Sequence, residues 1–281
     1  MRAVVCTFLF ALSCTAAAVP DPADTRLLGS PANGGDRIAF VYDNDLWLTS
    51  REGGSARRIT QAAGMEREPV FSPDGRWLAF SANYDDNVDV YVMPAEGGPA
   101  RRLTWHPGAD VVRGFTPDSA AVLFQSGRSV HTNRHTQLFT VPVEGGVPTR
   151  LPIPNGSKAA ISPDGSRIAY TPLGDRFAQW KNYRGGTQSR IWIMRFDDQS
   201  VQEVPKPAGG SNDTDPLWMG EALVFNSDRD GEFNLYRFDP ASNRVEALTR
   251  FDDFPVRSPS VHADGSLVFE HGGWLYRLDA G

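Results

Sequence analysis

One pattern recurs six times along this chain at intervals of roughly 40 to 55 residues, and that repeat restricts the fold more than any other feature. Its most regular part is an apolar triplet: Ile38-Ala39-Phe40, Leu78-Ala79-Phe80, Val122-Leu123-Phe124, Ile168-Ala169-Tyr170, Leu223-Val224-Phe225 and Leu267-Val268-Phe269. An uninterrupted apolar run of this kind predicts a strand covered on both faces. A second triplet follows in each unit: Asp45-Leu46-Trp47, Asp89-Val90-Tyr91, Gln137-Leu138-Phe139, Arg190-Ile191-Trp192, Asn234-Leu235-Tyr236 and Trp274-Leu275-Tyr276. Its order is polar, aliphatic, aromatic, with Trp274 as the exception. Ahead of the apolar triplets stand turns such as Ser72-Pro73-Asp74-Gly75, Thr116-Pro117-Asp118-Ser119 and Ser162-Pro163-Asp164-Gly165. Proline presets φ, the aspartate side chain bonds nearby backbone, and glycine takes positive φ. More polar segments close the units, among them Arg57-Arg58-Ile59-Thr60 and Arg101-Arg102-Leu103-Thr104.

Four strands per unit make the blade of a propeller, and closure into a ring removes exposed strand edges. The expectation is therefore an all-β, six-bladed propeller of four-stranded antiparallel blades, with blades near 29–65, 66–110, 111–155, 156–210, 211–255 and 256–281. The sixth unit reaches Gly281 before an outer strand is written. Either Arg26-Leu27-Leu28 supplies that strand, or the chain is the front part of a longer one. The segment is short for a strand of ordinary length, which favours the second reading.

Residues 1–18 read as a secretory signal peptide: Arg2 is the positive n-region, Ala3 to Leu12 the apolar core, and Ala16-Ala17-Ala18 the small-residue cleavage site. The apolar run is too short to span a bilayer, which takes about 20 residues. This predicts a periplasmic or secreted protein with residues 19–281 as its folded part. A lipid-bearing Cys14 is a second reading, although Ala11-Leu12-Ser13 fits it poorly. Cys6 and Cys14 both lie in the leader, so the mature chain would hold no disulfide and no thiolate. The net charge of −6 becomes one unit more negative without Arg2, and no Lys/Arg block interleaves with aromatics. Nucleic acid and an anionic membrane surface are disfavoured as partners.

A serine hydrolase would carry its nucleophile in Gly-x-Ser-x-Gly or a similar strained turn, and no such motif occurs. Ser72 and Ser162 repeat at one position of successive units, whereas catalysis needs a unique constellation. His131 and His135 have i, i+4 spacing but lie on a predicted loop, without the glutamate of a zinc helix. Asp213, Asp215, Asp228 and Asp230 resemble calcium-loop carboxylates, yet the twelfth position after Asp228 is Asp239 rather than glutamate. No catalytic residue, metal site or cofactor is predicted. The informative irregularity is an insertion in unit four, residues 173–189, carrying Phe177, Trp180, Lys181, Tyr183 and Arg184 beside Gly185-Gly186. Aromatic residues with Arg and Lys are preferred anchors of protein and peptide contacts, so these five are the candidate binding residues. Folding back as local packing is the alternative.

Several stretches go beyond the bare repeat: Leu103-Thr104-Trp105-His106-Pro107-Gly108-Ala109-Asp110, Lys181-Asn182-Tyr183-Arg184-Gly185-Gly186-Thr187, Asn212-Asp213-Thr214-Asp215-Pro216-Leu217-Trp218, and Asn226 through Tyr236. On these the chain resembles the N-terminal propeller of the tricorn-type peptidases, large serine proteases that process peptides. The likeness runs from Gly29-Ser30-Pro31-Ala32 to Leu278-Asp279. In that family a second propeller and the domains bearing the serine follow; none of their motifs is present here. The resemblance thus implies a scaffold or gate for peptides, with downstream protease domains as partners, and carries over no catalytic residue. A stand-alone periplasmic binding propeller, similar to that of the Tol system, is the alternative.

Overall fold

The computed structural model describes residues 27–132, 134–175, 178 and 182–279. The leader, Arg26, Phe177, Trp180 and Lys181 lie outside them. Within them the chain forms six consecutive antiparallel sheets, five of four strands and a last one of three. The first strands of the blades are Gly29–Asn33, Glu66–Phe71, Asp110–Phe115, Ala159–Ile161, Asp213–Met219 and Arg257–Val261.

The apolar triplets occupy the second strand of every blade, and their middle residues Ala39, Ala79, Leu123, Ala169, Val224 and Val268 are buried. The third residue of each triplet faces the aromatic residue of the next strand: Phe40 opposite Trp47, Phe80 opposite Tyr91, Phe124 opposite Phe139, Tyr170 opposite Trp192, Phe225 opposite Tyr236 and Phe269 opposite Tyr276. In blades two, three and six these rings stack with centroids 5.7, 5.7 and 5.9 Å apart. Cross-strand aromatic pairs of this kind are the stabilising unit of a sheet, and here they recur once per blade.

The turns before the second strands are built as their sequence requires. The Ser72 hydroxyl donates to Asp74 Oδ1 at 2.6 Å and accepts the Trp77 amide at 3.0 Å; Ser162 repeats this with Asp164 at 2.5 Å and the Arg167 amide at 2.9 Å. Both serines are thus committed to turn geometry.

Successive blades are linked by one recurring backbone bond, in which the chain entering the next blade donates to the carbonyl just before the third strand. Glu66 donates to Asn44, Gly156 to Thr136, Asp213 to Ser189 and Val256 to Phe233, at 2.9–3.1 Å. Leu27 makes the same bond to Gly273 at 3.2 Å, which brings blade one against blade six. This corrects one reading of Arg26-Leu27-Leu28. An outer strand would bond two residues further on, as Leu103 does to Val90 and Leu248 to Leu235. Leu27 therefore stands at the entry to blade one, not beside the third strand of blade six.

Candidate functional site

The first strands of all six blades line one cavity of about 760 Å³ on the axis of the ring. What shapes its wall is a departure from regular pairing. The register breaks between Gly29 and Ala32, Arg67 and Val70, Thr214 and Leu217, and Arg257 and Ser260. In each gap stands a residue followed by proline: Ser30-Pro31, Glu68-Pro69, Asp215-Pro216 and Ser258-Pro259. Proline has no N–H for the ladder and is tolerated in strands only at edges or bulges. The residue before it adopts positive φ, between 46 and 53° at Ser30, Glu68, Asp215 and Ser258. Non-glycine residues rarely hold this conformation, and it costs on the order of 1–3 kcal/mol each. The outcome is that Ser30, Glu68, Asp215 and Ser258 all line the cavity. In blade three Arg113 is the extra residue, and in blade four the pairing is regular with Lys158 just ahead of it.

Four of the charged residues of this wall are paired across blades, Arg113 with Glu68 and Lys158 with Asp215. Arg113 lies 3.4 Å from Glu68 and donates to Gln125 Oε1 at 2.8 Å. Lys158 Nζ lies 2.6 Å from Asp215 and 2.8 Å from Asp175. Asp175 comes from the insertion of blade four and also accepts the Thr214 hydroxyl at 3.0 Å. Burial by itself would lower the Lys158 ammonium, but Asp215 and Asp175 outweigh it and raise its pKa. Burial pushes the Asp215 carboxyl up, Lys158 offsets part of that, and Asp175 adds to the rise. Among the described residues the wall holds three acidic ones, Glu68, Asp215 and Glu232, and three basic ones, Arg113, Lys158 and Arg257. The formal charges of these six sum to zero, although the chain as a whole carries −6. Between the charges lie Pro31, Pro69, Val70, Pro216, Phe233 and Val256.

Two of the five binding residues expected from sequence, Tyr183 and Arg184, lie within the described residues. Arg184 ion-pairs with the buried Asp228 at 2.7 Å, and the Tyr183 carbonyl accepts from Asn212 Nδ2 at 2.9 Å. Both contacts fasten the insertion onto blade five. The carboxylates with calcium-loop spacing are each engaged by protein groups: Asp213 by Arg229 and Ser227, Asp215 by Lys158, Asp228 by Arg184 and Asn212, Asp230 by the Tyr236 hydroxyl. Sequence reading passed over Glu68, Arg113, Lys158 and Asp175. The signal available for the wall was the recurrence of residue-proline pairs in four of the first strands.

Comparison with known proteins places this geometry. The family described as tricorn protease N-terminal beta propeller domain matches residues 25–281. Tricorn protease homolog 1 of Streptomyces coelicolor is 34% identical over 93% of this chain and 24% of its own length. The tricorn protease homolog of Saccharolobus solfataricus is 31% identical over 87% and 23%. Among solved structures, the tricorn protease superposes with a TM-score of 0.79 at 26% identity, covering 90% of this chain and 25% of that one. A putative TolB from Agrobacterium tumefaciens gives 0.64 at 22% identity, covering 80% and 81%, which is a likeness of fold. The chain thus spans about a quarter of the length of these tricorn relatives.

Proposed function

The chain belongs to the family of tricorn protease N-terminal propellers, and from that premise we propose that it is the non-catalytic module of a tricorn-like peptidase whose axial cavity holds or admits peptides. The observation that carries this reading is the wall itself. Among the described residues of the wall, charges of both signs, two acid-base pairs among them, alternate with prolines and valines, a surface suited to a chain with both charged ends and apolar side chains. A cavity of one sign would instead select ions of the other. Downstream protease domains are its partners in this reading, and the blade-four insertion, with Phe177, Trp180, Lys181, Tyr183 and Arg184, is a docking element. The leader supports export to the periplasm or beyond; the N-terminal residue of the protein recovered from its native cells tests that, with Val19 expected.

Peptide binding is tested by fluorescence anisotropy of short, unstructured, end-labelled peptides titrated with the purified chain. Saturable binding that weakens in Lys158→Met is the expected result. Unchanged anisotropy up to about 1 mM protein, the weak end of the affinity scale, removes the peptide reading. It would leave a scaffold for the protease domains as the role of the propeller.

A further inference from the structure

Five buried apolar clusters hold the described residues together, and each joins two consecutive blades: one with two, two with three, three with four, four with five and five with six. None joins blade six to blade one. The register identifies the reason position by position. Residues paired with the start of the second strand are Phe71, Phe115, Ile161, Trp218 and Val261 in blades two to six, but Asn33 in blade one. Val141, opposite Val122 in the seam between blades two and three, corresponds to Thr49, opposite Ile38. Val92, opposite Ala79, corresponds to Arg277, opposite Val268. Val143, which follows the third strand of blade three, corresponds to Arg51.

Polar contacts take the place of that packing. Asn33 Nδ2 donates to the Ser266 carbonyl at 3.1 Å and to its hydroxyl at 3.0 Å, and the Asn33 amide donates to Ser260 Oγ at 2.9 Å. Arg51 bridges Asp264 at 3.0 Å and Asp279 at 2.9 Å, while Arg277 reaches Glu52 at 3.3 Å. The Thr49 hydroxyl is buried with no hydrogen-bond partner. As at the other junctions, no strand is shared across this one among the described residues. Ion pairs that touch solvent are weak and screened by salt, whereas apolar packing is not.

We infer that the junction of blades six and one is a side opening of the ring, held shut by a salt-sensitive clasp centred on Arg51. The cavity residues Ser30, Pro31, Ser258 and Pro259 lie on this side, so parting the two blades exposes the axial wall laterally. The inference concerns the motion of the ring and stands whether or not peptides occupy the cavity.

Hydrogen exchange read by mass spectrometry on the whole chain tests it. At about 50 mM salt, amides of the first strand of blade one and the third strand of blade six are expected to exchange roughly tenfold faster than their counterparts in blades three and two. About 1 M NaCl, or Arg51→Gln, should widen the gap by roughly three- to tenfold. Arg101→Gln, which removes the pairing of Arg101 with Glu144 over the apolar seam between blades two and three, should change little. The triple change Thr49→Val, Arg51→Val and Arg277→Val, which restores the chemistry of that seam, should slow exchange and abolish the salt response. Equal protection at all junctions overturns the inference. So does fast exchange that ignores both salt and Arg51→Gln, since simple fraying of the chain ends behaves that way.

Discussion

Asp164 and Asp215 are the same residue type in neighbouring blades, and the molecule treats them in opposite ways. Asp164 sits in a turn on the blade rim, where the Ser162 and Ser166 hydroxyls and the Ser166 amide hold its carboxyl far below the usual range. Asp215 faces the axial cavity, where burial raises it. The rim arrangement recurs: Asp74, Asp118 and Asp264 occupy the corresponding turns, and each carboxyl is lowered. The cavity arrangement of Asp215 does not recur in this way, because it shares the Lys158 ammonium with Asp175 of the blade-four insertion. The difference teaches where to look in a repeat protein. Interactions that recur in every blade build the ring, and those that break the repeat make one wall unlike another.

Substitutions of the two kinds should therefore separate cleanly. Phe124→Ala removes a fully buried member of the repeated aromatic ladder, stacked on Phe139 and covered by the Arg128 guanidinium. A loss of about 3–5 kcal/mol is expected in urea unfolding, with peptide affinity of the remaining folded protein unchanged. Lys158→Met breaks the comparison from the other side, since it leaves Asp215 and Asp175 facing each other without a cation. The expected cost is about 2 kcal/mol near neutral pH, below that of a fully enclosed pair because the groups keep some contact with solvent. Its pH response has a definite sign. The folded pKa of Asp215 is already raised and rises further without Lys158, so folding then favours the protonated carboxyl. The stability gap to the parent should narrow as pH falls through that folded pKa and widen as pH rises. A gap independent of pH would mean that Lys158 acts by packing alone.

The division also explains what could be read from sequence. The two triplets, the Ser-Pro-Asp-Gly turns and the six-fold count were legible because each is written several times, so errors at one blade are corrected by the others. That blade six has three strands among the described residues was legible for the same reason. The charges of the wall were not. Glu68, Arg113, Lys158 and Asp215 occur at comparable places in their blades, but their chemistry differs from blade to blade, and a search for repetition discards what varies. Asp175 was hidden further, since only the fold brings residue 175 to within 2.8 Å of the Lys158 ammonium. The seam between blades six and one was equally silent: Asn33 looks ordinary until the register aligns it with Phe71, Phe115 and Trp218.

The smallest effect is expected at the repeated turn. Burial on its own would raise Asp74, but the Ser72 hydroxyl at 2.6 Å, the Arg76 amide at 3.1 Å and the Arg76 guanidinium at 2.6 Å pull its pKa down to about 2. A carboxyl whose folded pKa lies below its unfolded value of about 3.9 contributes stability that is complete above that unfolded value. The contribution is lost as pH falls through the folded pKa of about 2. Asp74→Asn keeps one acceptor for the hydroxyl and the amide but removes the charge, so a loss of about 1 kcal/mol at pH 7 is expected. Urea midpoints of parent and variant should converge between about pH 4 and pH 2. A difference that persists unchanged into that range would mean that the aspartate serves the turn through shape, not charge. The same substitution at Asp164 should then behave alike, because the two turns share the serine hydroxyl and the backbone amide, a Ser166 hydroxyl standing where Asp74 has the Arg76 guanidinium.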